Sequence, residues 1–168
     1  MDEIVDIVDE ANNVLYQASK REAHEKGLLH RCVVSEVFDS KGCWILVEQA
    51  SDRQDAGQYV SPVGGHVSSG ESEDDALRRE TLEEIGLRDI DFTLKGRAIY
   101  NRTVIGRKEN HYFVLYEMRS DEPFVLNHES VSHRAFTEEE LRNELKTNPK
   151  RFGAAFFRIL EEFYPHML

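Results

Sequence analysis

Apolar and polar positions alternate in short runs along much of the chain and switch to a helical period in a few stretches. Ile4-Val5 and Val14-Leu15-Tyr16 flank Asn12-Asn13, a dipeptide that tolerates left-handed turn geometry, so the chain opens with a predicted β-hairpin. Arg21 to Lys26 reads as a single helical turn or loop. Cys32 to Phe38 and Trp44 to Val47 are β-rich runs joined by the turn signal Asp39-Ser40-Lys41-Gly42. Gln49 to Gly57 is poor in apolar residues and predicts an exposed loop. Two later segments, Phe92 to Tyr100 and His111 to Met118, are strand-like. The second is apolar on both faces, as a central strand covered twice would be.

Helical signals are concentrated in three places. Glu73 to Ile85 is the strongest, with Ser72 as N-cap, Gly86 as left-handed C-cap, and Leu77, Thr81 and Ile85 forming a buried edge. Thr137-Glu138-Glu139-Glu140 matches a capping box and opens a helix to about Lys146. Asn148-Pro149 predicts the start of a last helix, on which Phe152, Phe156, Ile159, Leu160 and Phe163 share one stripe. Strands and helices intermix without strict βαβ alternation. The expected architecture is a mixed sheet covered by helices on both faces, in one domain spanning residues 1–168.

Composition narrows the function. The hydrophobic fraction of 40% is enough for a proper core. Acids outnumber bases 32 to 21, for a formal charge of -11, so nucleic acid and anionic membranes are not expected partners. No apolar run approaches the ~20 residues that span a bilayer. The acidic start Met1-Asp2-Glu3-Ile4 lacks signal-peptide character. Cys32 and Cys43 form neither a CxxC pair nor a disulfide framework. A soluble protein of a reducing compartment, the cytoplasm, is the expectation.

The chemistry lies around the helix at Glu73–Ile85. Glu80, Glu83 and Glu84 stand at i, i+3 and i+4, so their carboxylates converge on one face. Like charges one turn apart disfavour the helix unless something neutralises them, and Arg78 and Arg79 both precede the triplet. A solvated acidic face would interleave bases at i+4. Hard oxygen ligands converging just beyond the glycine-rich segment Gly64 to Gly70 suit Mg²⁺, which accepts a few carboxylates and keeps waters for substrate phosphates. Glycines there admit a phosphate closely or offer a backbone carbonyl.

The segment resembles the Nudix box, Gly-x5-Glu-x7-Arg-Glu-x-x-Glu-Glu-x-Gly, at every fixed position: Gly65, Glu71, Arg79, Glu80, Glu83, Glu84 and Gly86. Thr81 departs softly from the aliphatic residue usual there. The resemblance implies a Nudix-type αβα sandwich, of class α/β (α+β), and hydrolysis of a nucleoside diphosphate linked to another moiety. It implies that Glu80 and Glu84 hold Mg²⁺ or Mn²⁺ with the Gly64 carbonyl, and that Glu83 adds a ligand or orients the attacking water. Glu71 would pair with Arg79 as structural support, Gly65 and His66 would meet substrate, and Glu129 resembles the late-loop acid brought back to the metal.

Beyond the box, the chain is similar to the isopentenyl-diphosphate isomerase branch of that superfamily. His24, His30, His66 and Glu109 lie near positions where that isomerase builds a metal site. Gly64 stands where its essential cysteine would be, and His111 stands near its essential glutamate, so protonation and deprotonation at carbon lack their acid and base. His30 and His111 are expected as hydrogen-bonded core histidines. Trp44, Tyr100 and Phe113 are expected in the core rather than stacked on a base. Arg53, Arg97, Arg102, Arg107 and Lys108 are candidate phosphate ligands, most of them expected simply to solvate. The expected activity is metal-dependent hydrolysis of a small diphosphate, with an isomerase and a non-catalytic diphosphate sensor as alternatives and a homodimer as the default assembly.

Overall fold

The computed structural model describes residues 2–168. A hairpin of β1 (Ile4–Val8) and β2 (Val14–Ser19) opens the chain, with Asn12 in the left-handed conformation at its turn. Helix α1 (Lys20–Lys26) follows, capped by the Ser19 side chain and ended by left-handed Gly27. Strand β3 (His30–Phe38) is the hub of the sheet. It pairs antiparallel with β6 (Val63–His66) and parallel with β8 (Arg107–Arg119), from His30 opposite His111 to Phe38 opposite Arg119. Beyond β3 lie β4 (Trp44–Gln49) and the short β5 (Tyr59–Val60), while β7 (Asp91–Val104) runs antiparallel to β8 and β9 (Ser130–Phe136) to β4.

Helices cover both faces, as the patterning predicts. Helix α2 (Glu73–Ile85) buries Ala76, Leu77 and Ile85 against Val33, Val37, Tyr112, Val114 and Met118. On the other face α3 (Glu138–Thr147) and α4 (Ala154–Phe163) bury Leu141, Leu145, Phe156, Ile159 and Leu160 against Val34, Phe113 and Leu115. Alternate residues of β8 therefore enter opposite cores, which explains why its sequence is apolar throughout. Trp44 and Phe113 are buried in the second core and Tyr100 packs on it, as expected.

Several boundaries differ from the sequence reading. Gly64, Gly65 and His66 form strand β6 rather than a flexible loop, because β3 supplies their hydrogen-bond partners. Strands β7 and β8 extend past Tyr100 and before His111, closing at a tight turn with Ile105 and Gly106 both left-handed. Their polar extensions carry no local strand pattern, and the pairing itself holds them. Pro149–Arg151 is a short 3₁₀ turn, and α4 begins only after Gly153. The loop at Gln49–Gly57 buries Asp55, so it is a wall rather than a solvated excursion.

Candidate active site and the histidine cluster beside it

Helix α2 is positioned from both ends. The Ser72 side chain accepts from Asp75 N, and left-handed Gly86 returns its N–H to Leu82 O. Its Leu77–Thr81–Ile85 edge is fully buried, with the Thr81 hydroxyl donating to Leu77 O, so a polar residue fits where an aliphatic one is usual. That burial turns Glu80 and Glu84 toward β6. Gly64 N donates to Glu84 Oε2 at 2.8 Å, and a Cβ on Gly65 would overlap the Glu80 carboxyl group. Gly65 is thus a site residue because it leaves room for a carboxylate.

Arg79 ties the segment together. Its Nε and one terminal nitrogen hold the two Glu71 oxygens at 2.9 and 3.0 Å, another reaches Glu80 Oε1 at 2.7 Å, and His66 O accepts at 3.0 Å. Ser68 N also donates to Glu71, so the turn before the helix is fastened to the helix itself. Glu83 stands apart: its side chain is 53% exposed, and Arg79 lies 3.6 Å from it. The three glutamates line one cavity, yet only Glu80 and Glu84 are drawn inward.

That cavity has a volume of about 670 Å³. Glu129 reaches it from the segment before β9, held by Arg53 at 2.5 Å and by Asn127. Burial, with smaller additions from Glu83 and Glu129, pushes the Glu80 carboxyl up to about 7 despite Arg79. Burial likewise pushes Glu84 well up, with Glu80 and Glu129 adding to it and the Gly64 N–H opposing. Such a set is short of positive charge. Its hard oxygen donors fit a divalent cation that favours carboxylates and water.

Arginines complete the walls. Arg102 pairs with Asp55 and Glu109, Arg107 pairs with Glu109, and both line the cavity with Arg53 and Arg79. Arg97 instead holds Glu73, and Lys108 lies outside the cavity lining. Apolar Val34, Val60, Phe113, Phe156 and Ile159 line the remainder. A compartment with acids and arginines at one side and an apolar lining at the other suits a diphosphate carrying a larger group. Gln54 and Asp55 also line the cavity, and nothing in the sequence marks them, because the loop that carries them has no periodic signal.

Beside the cavity, four imidazoles meet. His24 on α1, His30 on β3, His66 on β6 and His111 on β8 place one ring nitrogen each within 4.8 Å of all the others. His30 and His111 are buried with polar partners, the surroundings expected of core histidines, and their rings also belong to this group. Glu109, expected with the histidines, is not in the group: Arg102 and Arg107 occupy its two oxygens, and Gln54 approaches one. Burial raises the Glu109 carboxyl, but the hydrogen bonds and charges of Arg107 and Arg102 outweigh it and hold it at about 2. Burial keeps the histidines neutral, pushing His24 down to about 4 and His111 to about 3.

A NUDIX domain is matched over residues 28–156. The chain is 33% identical to a Nudix hydrolase of Yersinia pestis over 131 residues, 77% of this chain and 69% of that one. It is 29% identical to the isopentenyl-diphosphate Delta-isomerase of Serratia proteamaculans over 96% of its length and 92% of the isomerase. The crystal structure of DR0079 from Deinococcus radiodurans superposes with a TM-score of 0.76 at 21% identity, covering 96% of this chain and 99% of that one. The box geometry and these likenesses agree: the chain belongs to the NUDIX family, as an enzyme of its hydrolase side.

Proposed function

We propose that residues 1–168 form one Nudix domain that hydrolyses a phosphoanhydride in a small nucleoside diphosphate, or a similar diphosphate linked to another moiety, using Mg²⁺ or Mn²⁺. The observation that carries this reading is the convergence of buried Glu80 and half-buried Glu84 with Glu129 on one cavity, with too little positive charge to match them. Glu80, Glu84 and Glu129 would hold the ion, with the Gly64 carbonyl as a further donor. When bound, the ion supplies charge that screens the diphosphate and eases removal of a proton from water. Glu83, the most exposed of the triplet, adds a ligand or orients the attacking water and accepts its proton. Arg53, Arg102 and Arg107 face the phosphate oxygens, Gly65 keeps the approach open, and Glu71 with Arg79 holds β6 on α2. His66 reaches the same cavity and meets substrate from the side of the histidine cluster.

The similarity to an isomerase over nearly its whole length favours a second reading, allylic isomerisation of isopentenyl diphosphate. It is the weaker one, since Gly64 offers no side chain to move a proton at carbon. A panel of nucleoside di- and triphosphates, sugar nucleotides, dinucleoside polyphosphates and NADH, assayed with Mg²⁺ or Mn²⁺, tests the proposal. Metal-dependent cleavage of the phosphoanhydride into two phosphate-bearing products is expected for at least one, and full turnover in excess EDTA would overturn it.

A further inference from the structure

Strand β3 sends Cys32, Val34 and Glu36 to one face, and the first two line the cavity. Glu36 is the next rung, about 7 Å past Val34, and is fully buried. The Ser61 hydroxyl donates to one of its oxygens, and the other has no partner among the described residues. A buried carboxyl with a single partner costs stability, and one kept for the scaffold would be paired at both oxygens. Burial pushes it up to about 8, so at neutral pH it is uncharged and does not repel an anionic ligand. Ser61 is half-buried, follows Val60 in the apolar wall, and carries the only hydroxyl among the described residues that line the cavity. A hydroxyl offers one donor and two lone pairs, so Ser61 keeps capacity for a second bond. Gly64 lies three residues on, at most about 11 Å away, which is the reach from a diphosphate to the group it carries.

Resting on the reading of this cavity as a diphosphate site, we propose that Ser61, oriented by Glu36, selects the group linked to the diphosphate: its hydroxyl hydrogen-bonds a nucleobase at the apolar end. Ser61 is the contact and Glu36 the positioning residue. Walls of Val34, Val60, Phe113, Phe156 and Ile159 accept a hydrocarbon chain as readily as a base, and shape alone discriminates weakly between apolar groups. The hydrogen-bonding pair set into that wall changes the balance. A hydrocarbon would cut the Ser61 hydroxyl off from water and leave its open valence unfilled, the cost of a buried unsatisfied polar group. A base fills it through a ring nitrogen, a carbonyl or an amino group. The carboxyl behind Ser61 already fixes the hydroxyl, so little freedom is lost when the base docks.

The test is calorimetric binding, with Mg²⁺ present, of probes whose methylene bridge blocks cleavage. They are the methylene-bridged diphosphates of the four common nucleosides, an alkyl methylenediphosphonate of similar length, and methylenediphosphonate itself. Wild type should bind at least one nucleoside probe more tightly than the alkyl probe. Ser61→Ala should weaken that nucleoside roughly ten-fold and leave methylenediphosphonate unchanged. Glu36→Met should weaken it similarly, the double variant no further, and Glu36→Gln, which can still hydrogen-bond Ser61, should restore most of the loss. Should the Glu36 variants fail to fold, Ser61→Ala decides alone. An alkyl probe bound as tightly as every nucleoside, unchanged nucleoside binding in Ser61→Ala, or equal weakening of methylenediphosphonate would overturn the proposal and leave the reading of the box intact. No binding of methylenediphosphonate or of any nucleoside probe would overturn both.

Discussion

Gly64 and Gly65 are neighbours on β6, yet a methyl group at each would meet different surroundings. At Gly64 the nearest atom to an added Cβ is the Val33 carbonyl oxygen at 3.8 Å, an ordinary contact. At Gly65 the Cβ would overlap the Glu80 carboxyl, the movable end of a side chain. Gly64→Ala should therefore fold and turn over nearly as wild type, and Gly65→Ala should fold but lose at least ten-fold in activity, on the order of what a misplaced catalytic group costs. Thermal melts beside kcat/KM for both variants check this; equal activities would remove Glu80 from the site. Glu36 is a separate case. It is fully buried in the core beneath α4, with the Ser61 hydroxyl on one oxygen and no partner among the described residues for the other. Burial pushes its carboxyl from 4.5 up to about 8. Across that window the folded chain keeps a proton that the unfolded chain has released, so stability falls as pH rises and levels off above it. Urea unfolding at pH 6 and 9 should show wild type losing roughly 1–3 kcal/mol more than Glu36→Gln. Equal losses would mean that the carboxyl is ionised in the fold.

Helix α2 has two working edges that mutation should separate. Its Leu77 edge is core, and Leu77→Ala should cost about 2–5 kcal/mol of stability. Its Glu80–Glu84 edge is two like charges one turn apart, both raised by burial. Glu84→Gln removes one of them, so stability without added metal should hold or rise. Activity should fall further than the ~10–100-fold that loss of an outer-shell partner costs. A lower melting temperature without metal would make the carboxylate a structural element, and near-native turnover would remove it from the site. This helix was legible in the sequence because its caps, buried edge and acids are all local. Strand β8 was legible because burial on both sides leaves an unbroken apolar run. Strand β6 was not, since two glycines carry no strand pattern and only pairing with β3 defines it. Strand β9, whose side chains alternate in exposure, is polar enough to pass as a connection.

At the scale of the whole molecule, the sites depend on the registers of β3. Pairing His30 with His111 and Cys32 with His66 gathers histidines that are far apart in sequence. The same registers set Gly64 and Gly65 opposite α2 and bring the Arg102–Glu109–Arg107 network to the cavity wall. The box and the late acid Glu129 could be named from residues alone. That His111 rather than Glu109 joins the histidine group could not, because it turns on which side chains the arginines occupy. Divalent-metal hydrolysis of a diphosphate is tested most directly by turnover of the best nucleotide substrate in ¹⁸O-labelled water, with Mg²⁺ or with excess EDTA, read by phosphorus NMR beside an isopentenyl diphosphate sample. The expected result is an isotope shift in a phosphate-containing product, only with metal, and no dimethylallyl diphosphate. Turnover that persists in EDTA, or allylic isomerisation as fast as any hydrolysis, would contradict it.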